Sequence, residues 1–582
     1  SKKFNYLLAQ ALNQFDRFKT IDSEALPAHS RNNEADENLM QLKEKFDIEY
    51  ELKGKISKDK GFYVIDADLI SFEKADDKGG QVQKIEKPIT GTGQGLDSLL
   101  TIQVDMIADR VTGILFANQG ETREIKKMSA VYGSDWQKFS GIYLGHYYLK
   151  KLETAKAEKH LLPAADTPAA QYLLAQVYDF RGDRAKAMTG IINAVRHIED
   201  LTKPLQLRVL ALQARLRFSF QEEIENLAAL VESFPFSKEV FFDMGEAYFQ
   251  HRCPLAAIPY YEKTLALDRY DSRAINHLAY CYSFTGDHDR AIQLFEEYNN
   301  LDMTANSFDS LGDGYFYKGD LVYAEQFKQN AVRMDENSVP YSYTTLADIY
   351  ILKAEYQKAK TALDNYCRVK HDPDAEARNH ATRAFIFYEN REYEKALQAV
   401  DRSLAAVDSD DIKNDSGEAH WLKGLILAAA NKLPESKREL EWLTAFKNKY
   451  RLSPENFSQS YKYLLHLQAL LQEKEARIDE AQNTFKALLA IKEKLSFWTY
   501  FNYQFFHTEY AKFLCRRKSH TQALEEIETC LKFNRNYIPA LWVETEICEK
   551  MKNKDEVNKI YKKIKELYGD STEKNFLRDR LH

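Results

Sequence analysis

Between residues 237 and 366 the chain repeats itself four times, at intervals of 34, 33 and 35 residues. Each copy carries a leucine or methionine followed by a small residue, then an aromatic three residues on and an alanine nine after that. The sets are Met244-Gly245, Tyr248 and Ala257; Leu278-Ala279, Tyr282 and Ala291; Leu311-Gly312, Tyr315 and Ala324; and Leu346-Ala347, Tyr350 and Ala359. A helix-turn-helix unit of this length cannot bury its apolar face alone, so such units stack into a linear solenoid, an architecture that recognises partners more often than it performs chemistry.

The same inference reconciles the chain's length with folding. At 582 residues it exceeds the roughly 250 to 300 residues over which one hydrophobic core stays efficient, and a linear stack removes that limit. A net charge of -7 and a pI near 6.1 argue against a nucleic-acid binder driven by a concentrated basic surface. No apolar stretch approaches the roughly 20 residues that span a bilayer. The chain opens on Ser1 without an initiator methionine, which leaves room for an anchor or a further domain upstream.

Outside the four clean copies the nine-residue spacing persists. Tyr148 with Ala157, Tyr178 with Ala187 and Phe387 with Ala396 keep the aromatic; Leu427 with Ser436, Gln472 with Ala481, Leu514 with Ala523 and Cys548 with Val557 keep the spacing only. A divergent unit is expected at about 205–236, giving about twelve in all. These units resemble tetratricopeptide repeats. The small residue of each set lets the first helix of a unit approach the second, and the alanine allows the reciprocal contact. Gly286-Asp287 and Gly319-Asp320 end the first helix and start the turn. Later repeats are longer; the excess is expected as an exposed loop at Asp408–Gly417 and, near Leu440–Tyr461, as a lengthened helix with a turn at Ser453-Pro454.

Residues 1–115 follow another pattern. Helical spacing at Phe4–Phe15 and Asn38–Phe46 gives way to period-two alternation at Phe46, Ile48, Tyr50, Leu52 and again at Phe62 and Val64, with Lys58–Gly61 as the turn. A weaker strand is expected around Val82–Ile85, and a helix carrying Leu99, Leu100, Ile107 and Val111 after Asp97. The runs Leu7–Leu12, Phe18–Asp22 and Phe46–Gly54 resemble the small alpha/beta domain of FlgO and of the N-terminus of TolB-like proteins, although that family's opening strand is absent. The expected fold is α+β overall: an α/β N-terminal domain over 1–115, a linker over 116–132, a large all-α superhelical solenoid over 133–570, and a tail over 571–582. The resemblance implies a bacterial sensory or regulatory protein.

In tetratricopeptide proteins the first-helix residues two places after the leucine, and two and five before it, face the concave side. This register selects Glu239, Phe242 and Glu246 with neighbouring Asp243; Arg273, Asn276 and Tyr280; Asn306, Asp309 and Asp313; and Tyr341, Thr344 and Asp348. Phe316 and Tyr317 add aromatic surface. The skew toward acid suits a protein or peptide segment bearing Lys or Arg, although a solvated acidic helix face explains the same residues. The lysines that some family members use to clamp a terminal carboxylate are missing.

No catalytic residue, cofactor or metal site is expected. Gly91-Thr92-Gly93-Gln94-Gly95 lacks the Gly-Lys-Ser/Thr ending of a phosphate loop and is expected to be a flexible loop. Scattered histidines, among them His371, His380, His507 and His520, carry no assigned role. The six cysteines show no CxxC spacing, and Cys281, Cys530 and Cys548 sit at or beside core positions as buried free thiols, with a pairing among Cys515, Cys530 and Cys548 as the alternative. The functional expectation is a non-enzymatic binding scaffold or sensor module. Its alternatives are the regulatory part of a signalling enzyme or transcription regulator whose effector lies upstream, and an adaptor in envelope or secretion assembly. Family context favours an extracytoplasmic, periplasmic location; unpaired cysteines favour the cytoplasm.

Overall fold

The structure, a computed structural model, describes residues 50–59, 62–71, 83–84, 89–94 and 126–568, apart from 152, 218, 236, 252, 354, 372, 407–415, 451–457 and 492–502, together with helical positions at 8, 11, 104–108 and 111. It forms two compact units: residues 1–248 with 259–271, and 249–258 with 272–582.

In the first unit, strands β1 (Tyr50–Asp59) and β2 (Phe62–Ser71) make an antiparallel hairpin, with Tyr50 opposite Ser71 and Asp59 opposite Phe62. The alternating residues thus form a longer first strand than the Phe46–Leu52 pattern marked, because pairing with β2 continues past the last clear alternation. β3 (Gln83–Lys84) and β4 (Ile89–Gln94) both pair antiparallel with β2. This corrects the reading of the glycine-rich segment as a loop. Gly91 and Gly93 lie in β4 opposite Ile65 and Tyr63, where ladder hydrogen bonds from β2 outweigh glycine's poor strand propensity. The helices expected at Phe4–Phe15 and Asn38–Phe46 lie mostly outside the described residues. Leu8, Ala11, Val104, Ile107, Ala108 and Val111 join Met128, Val131 and Phe139 in one apolar core.

From Trp136 onward the described helices come in twelve pairs. The first unit contains Trp136–Lys150 with Thr154–Leu161, Pro168–Phe180 with Arg184–Arg196, and Lys203–Leu216 with Phe220–Ser233. The pair Lys238–Gln250 and Pro254–Leu267 straddles the division between units. The second unit continues with Ser272–Thr285 and His288–Leu301, Ala305–Lys318 and Leu321–Asp335, and Ser342–Leu352 and Tyr356–Lys370. Then come Pro373–Glu389 with Tyr393–Ala406, Ser416–Ala429 with Leu433–Tyr450, and Ser458–Lys474 with Ile478–Leu489. Tyr503–Arg516 with His520–Phe533, and Ile538–Lys550 with Lys554–Tyr568, complete the series. The lengthened helix expected near 440–461 is the 18-residue Leu433–Tyr450, which begins and ends earlier. The Asp408–Gly417 loop and the Ser453-Pro454 turn lie largely or wholly outside the described residues.

The repeat residues account for this geometry. A Cβ built on Gly245 would stand 2.8 Å from the Tyr261 ring, and one on Gly312 would stand 2.9 Å from Lys328 Cγ, so each pair of helices touches where the small residue sits. Ala257, Ala291, Ala324 and Ala359 are wholly buried. At the turns, Gly286 and Gly319 adopt φ of 91° and 84°, the left-handed conformation that glycine tolerates without steric cost. Asp287 and Asp320 then cap the next helix, each carboxylate accepting from the backbone N–H three residues on.

Neighbouring units are tied by their repeat tyrosines. The Tyr178, Tyr315 and Tyr350 hydroxyls reach Glu158, Glu296 and Glu325 on the preceding second helix, at 2.9, 3.3 and 3.0 Å. None of the six cysteines, all of them described, forms a disulfide, and Cys281, Cys515, Cys530 and Cys548 are buried. No described helix is long and apolar enough to cross a membrane.

Candidate partner-binding face

The residues selected by register fall on both units. In the first unit, Glu239 Oε1 pairs with Lys150 Nζ at 2.8 Å, and Asp243 Oδ2 with Arg208 Nε at 2.8 Å. Phe242 is buried against Tyr261, ring centroids 5.8 Å apart. Glu246 is half-buried and contributes to the field that holds Arg215 in its charged form. The acids read as a single-signed surface are therefore met by cations from earlier helices. Those cations lie on Trp136–Lys150 and Lys203–Leu216, outside the four clean repeats.

In the second unit the structure gathers Tyr280, Asp309 and Asp313 into one network with a residue that the register had not selected. Lys328, on the second helix of the same repeat, extends its ammonium to 2.6 Å from both Asp309 Oδ1 and Asp313 Oδ1. The Tyr280 hydroxyl donates to Asp313 Oδ2 at 2.9 Å and sits 3.2 Å from Ser310 Oγ. Ser342 donates to Asp309, and Thr345 reaches Asp313 at 3.4 Å. Lys328 and Asp313 are each 1% exposed. Burial works against the lysine's charge, but Asp309 and Asp313 outweigh it and hold the ammonium above its ordinary value. Burial pushes the Asp313 carboxyl up to about 6, with Asp309 adding to the rise and Lys328 opposing it.

Lys328 could have been found in the sequence. Four residues after the repeat alanine, other second helices carry Leu161, Ile191, Tyr261, Phe295, Leu363 and Phe485, all fully or almost fully buried. At this core position Lys328 is the exception, and a buried cation requires a counter-charge.

Asp348 stands apart from that network. It is half-buried, and its carboxyl is pushed up to about 7 by burial, with Arg378 opposing the shift and Glu418 adding to it. Tyr341 is 51% exposed, its ring 5.6 Å from Lys370 Nζ. Asn276 is buried and its side-chain oxygen accepts no hydrogen bond. Arg273 and Phe316 are half-buried, and Tyr317 packs edge-on against Phe284 at 5.5 Å.

Extending the register into later repeats places Arg378, Glu418, Trp421, Tyr463, His466 and Phe505 on corresponding helix faces. These residues mostly pack on one another. Trp421 stacks on Tyr463 at 4.6 Å, meets Phe505 edge-on at 5.9 Å, and donates its indole N–H to His466 Nδ1 at 3.0 Å. Tyr463 donates to Glu418 at 2.5 Å. Burial pushes His466 down to about 4. The later repeats thus fill these positions with aromatic core, while the earlier ones present polar groups. A cavity of about 190 Å³ in the first unit, lined by Asp166, Thr167, Gln171, Asn193 and Arg196 among others, contains none of the residues selected by register.

The described solenoid is tetratricopeptide-like. No protein-family model matches the chain, and no curated protein matches it. Solved structures similar to it include the human IFIT1 dimer with PPP-AAAA, at 13% identity and a TM-score of 0.39 over 74% of this chain and 95% of that one. The Cut9-Hcn1 hetero-tetramer of the APC/C is similar at 11% identity and a TM-score of 0.36, covering 78% of this chain and 89% of that one. MamA is similar at 17% identity and a TM-score of 0.25, covering 28% of this chain and 95% of that one. With TM-scores this low, none bears on what the chain binds, and the fold assignment rests on the helix pairs themselves.

Proposed function

We propose that the solenoid is a non-enzymatic scaffold that binds a protein or peptide segment, and that its second unit receives a lysine or arginine of that segment at Asp348. The observation that carries this reading is the state of Asp348. A half-buried carboxyl pushed up to about 7 is short of compensating charge. Of the charges that act on it, Arg378 opposes the shift and Glu418 adds to it. A cationic side chain arriving here would meet an acceptor whose ionisation it stabilises, and electrostatic complementarity of this kind selects partners. The sheet of β1 to β4 supports the further reading that residues 1–115 hold an α/β module of the FlgO/TolB-like kind preceding the scaffold.

The test is fluorescence-polarisation binding of lysine- and arginine-rich peptides, with neutral and acidic peptides of equal length as controls. Asp348→Asn is expected to weaken basic-peptide binding by about tenfold while leaving the melting temperature no lower. Equal binding of basic and acidic peptides, or an unaltered affinity in Asp348→Asn, would remove the proposal.

A further inference from the structure

Within the second unit, two turns that are far apart in sequence touch. Gly319 ends the helix Ala305–Lys318 in the left-handed conformation, φ 84°. The side chain of Asn534, in the turn between His520–Phe533 and Ile538–Lys550, lies directly over it. A Cβ on Gly319 would stand 2.0 Å from Asn534 Oδ1 and 2.8 Å from Asn534 Cγ. Asn536 closes the contact from the other side, its Nδ2 donating to the Gly319 carbonyl at 3.3 Å. The Asn534 turn is ordered internally as well: its Oδ1 accepts from the Asn536 backbone N–H at 3.0 Å, and its carbonyl accepts from the Tyr537 N–H at 3.1 Å. Asn534 is only 8% exposed, which is low for a polar turn residue and follows from its cover by the Gly319 turn. Lys318 pairs with Asp289 at 2.7 Å, and Arg535 adds to the field acting on the same carboxylate.

Stacked units touch their nearest neighbours; a contact across 217 positions needs the stack to bend back on itself. We propose that the Gly319–Asn534–Asn536 contact is a latch, closing one turn of the second unit's solenoid edge to edge and fixing its pitch. Gly319 is required twice at the latch, for its left-handed φ and for the absence of a side chain beneath Asn534. The latched helix Ala305–Lys318 also bears Asp309 and Asp313, so the latch holds one wall of the network described above. The latch does not depend on the partner proposed for Asp348.

The two requirements on Gly319 can be separated experimentally. Gly182 has the same left-handed geometry, φ 80°, with nothing within 4 Å of its built Cβ, so Gly182→Ala reproduces the backbone strain without the collision. In hydrogen–deuterium exchange on the full chain, Gly319→Ala is expected to speed exchange across 534–538 by about fivefold, the protection that one net hydrogen bond confers. Gly182→Ala should leave that segment unchanged. If Gly319→Ala fails to fold, Asn536→Ala removes the donor without altering either glycine, and exchange across 316–323 should rise. Exchange at 534–538 no faster in Gly319→Ala than in Gly182→Ala, or wild-type exchange at 316–323 in Asn536→Ala, would overturn the latch.

Discussion

Replacing Lys328 with methionine isolates the buried charge network of the second unit. Methionine keeps the stem that packs beneath Gly312, where Lys328 Cγ, Cδ and Cε lie 2.9, 3.1 and 3.2 Å from a built Cβ, so the change removes a charge and opens little space. What it leaves behind is Asp313, 1% exposed, and Asp309, each having lost an ion pair of 2.6 Å. Removing one partner of a buried pair costs about 3–5 kcal/mol, because the other charge stays desolvated. Asp313 can escape by taking up a proton, and this sets the pH dependence. Its carboxyl is already pushed up to about 6, and without the ammonium it rises further. Between pH 6 and 8 the folded variant then holds a proton that the unfolded chain has released. Stability therefore falls as pH rises, and the gap to wild type widens by about 1.4 kcal/mol per pH unit. Circular-dichroism melts of wild type and Lys328→Met at pH 6, 7 and 8 measure this. A triple variant that adds Asp309→Asn and Asp313→Asn should recover most of the loss. A Lys328→Met protein within about 1 kcal/mol of wild type at pH 8, with no change in the gap between pH 6 and 8, would refute the account.

Other expectations follow from the same contacts. His466 is pushed down to about 4 by burial, so the unfolded chain takes up its proton first. Stability is therefore undiminished above pH 6.5 and falls by up to about 3 kcal/mol as pH drops toward 4; an imidazole resonance of His466 that titrates above pH 6 would contradict this. Gly424→Ala brings a Cβ to 2.5 Å from Leu467 Cδ2, a wholly buried side chain, and should cost about 1–3 kcal/mol in a urea melt; a stabilised variant would mean that Leu467 yields. With a thiol reagent on the native protein, Cys253 and Cys367 should react first, while Cys281, Cys515, Cys530 and Cys548 wait for unfolding. Cys530, whose thiol burial pushes up to about 12, should be among the slowest, and early labelling there would show that its helix pair opens.

Much of the solenoid was legible because its determinants are local and periodic. The small residue, the aromatic and the alanine recur at fixed spacing, since each unit solves the same packing problem, and Gly319-Asp320 announces a helix end and a cap in two letters. The candidate face was legible only as positions. Register put Tyr280, Asp309 and Asp313 on corresponding faces of neighbouring helices, yet it described them as an acidic surface, because it considered first helices alone and Lys328 comes from a second helix. The glycine-rich segment 91–94 reads as a loop in the sequence for a related reason: its strand identity comes from pairing with β2, and its own residues argue against it.

The sequence by itself determined the repeating helix pairs, their turns and the buried alanines, all of which depend on neighbours within about one unit. Tertiary structure decided which charges are compensated and where the stack touches itself. Lys150 with Glu239, and Asn536 with Gly319, are separated by 89 and 217 positions. Coulomb attraction and steric contact act through space, whereas a local repeat records only what recurs along the chain.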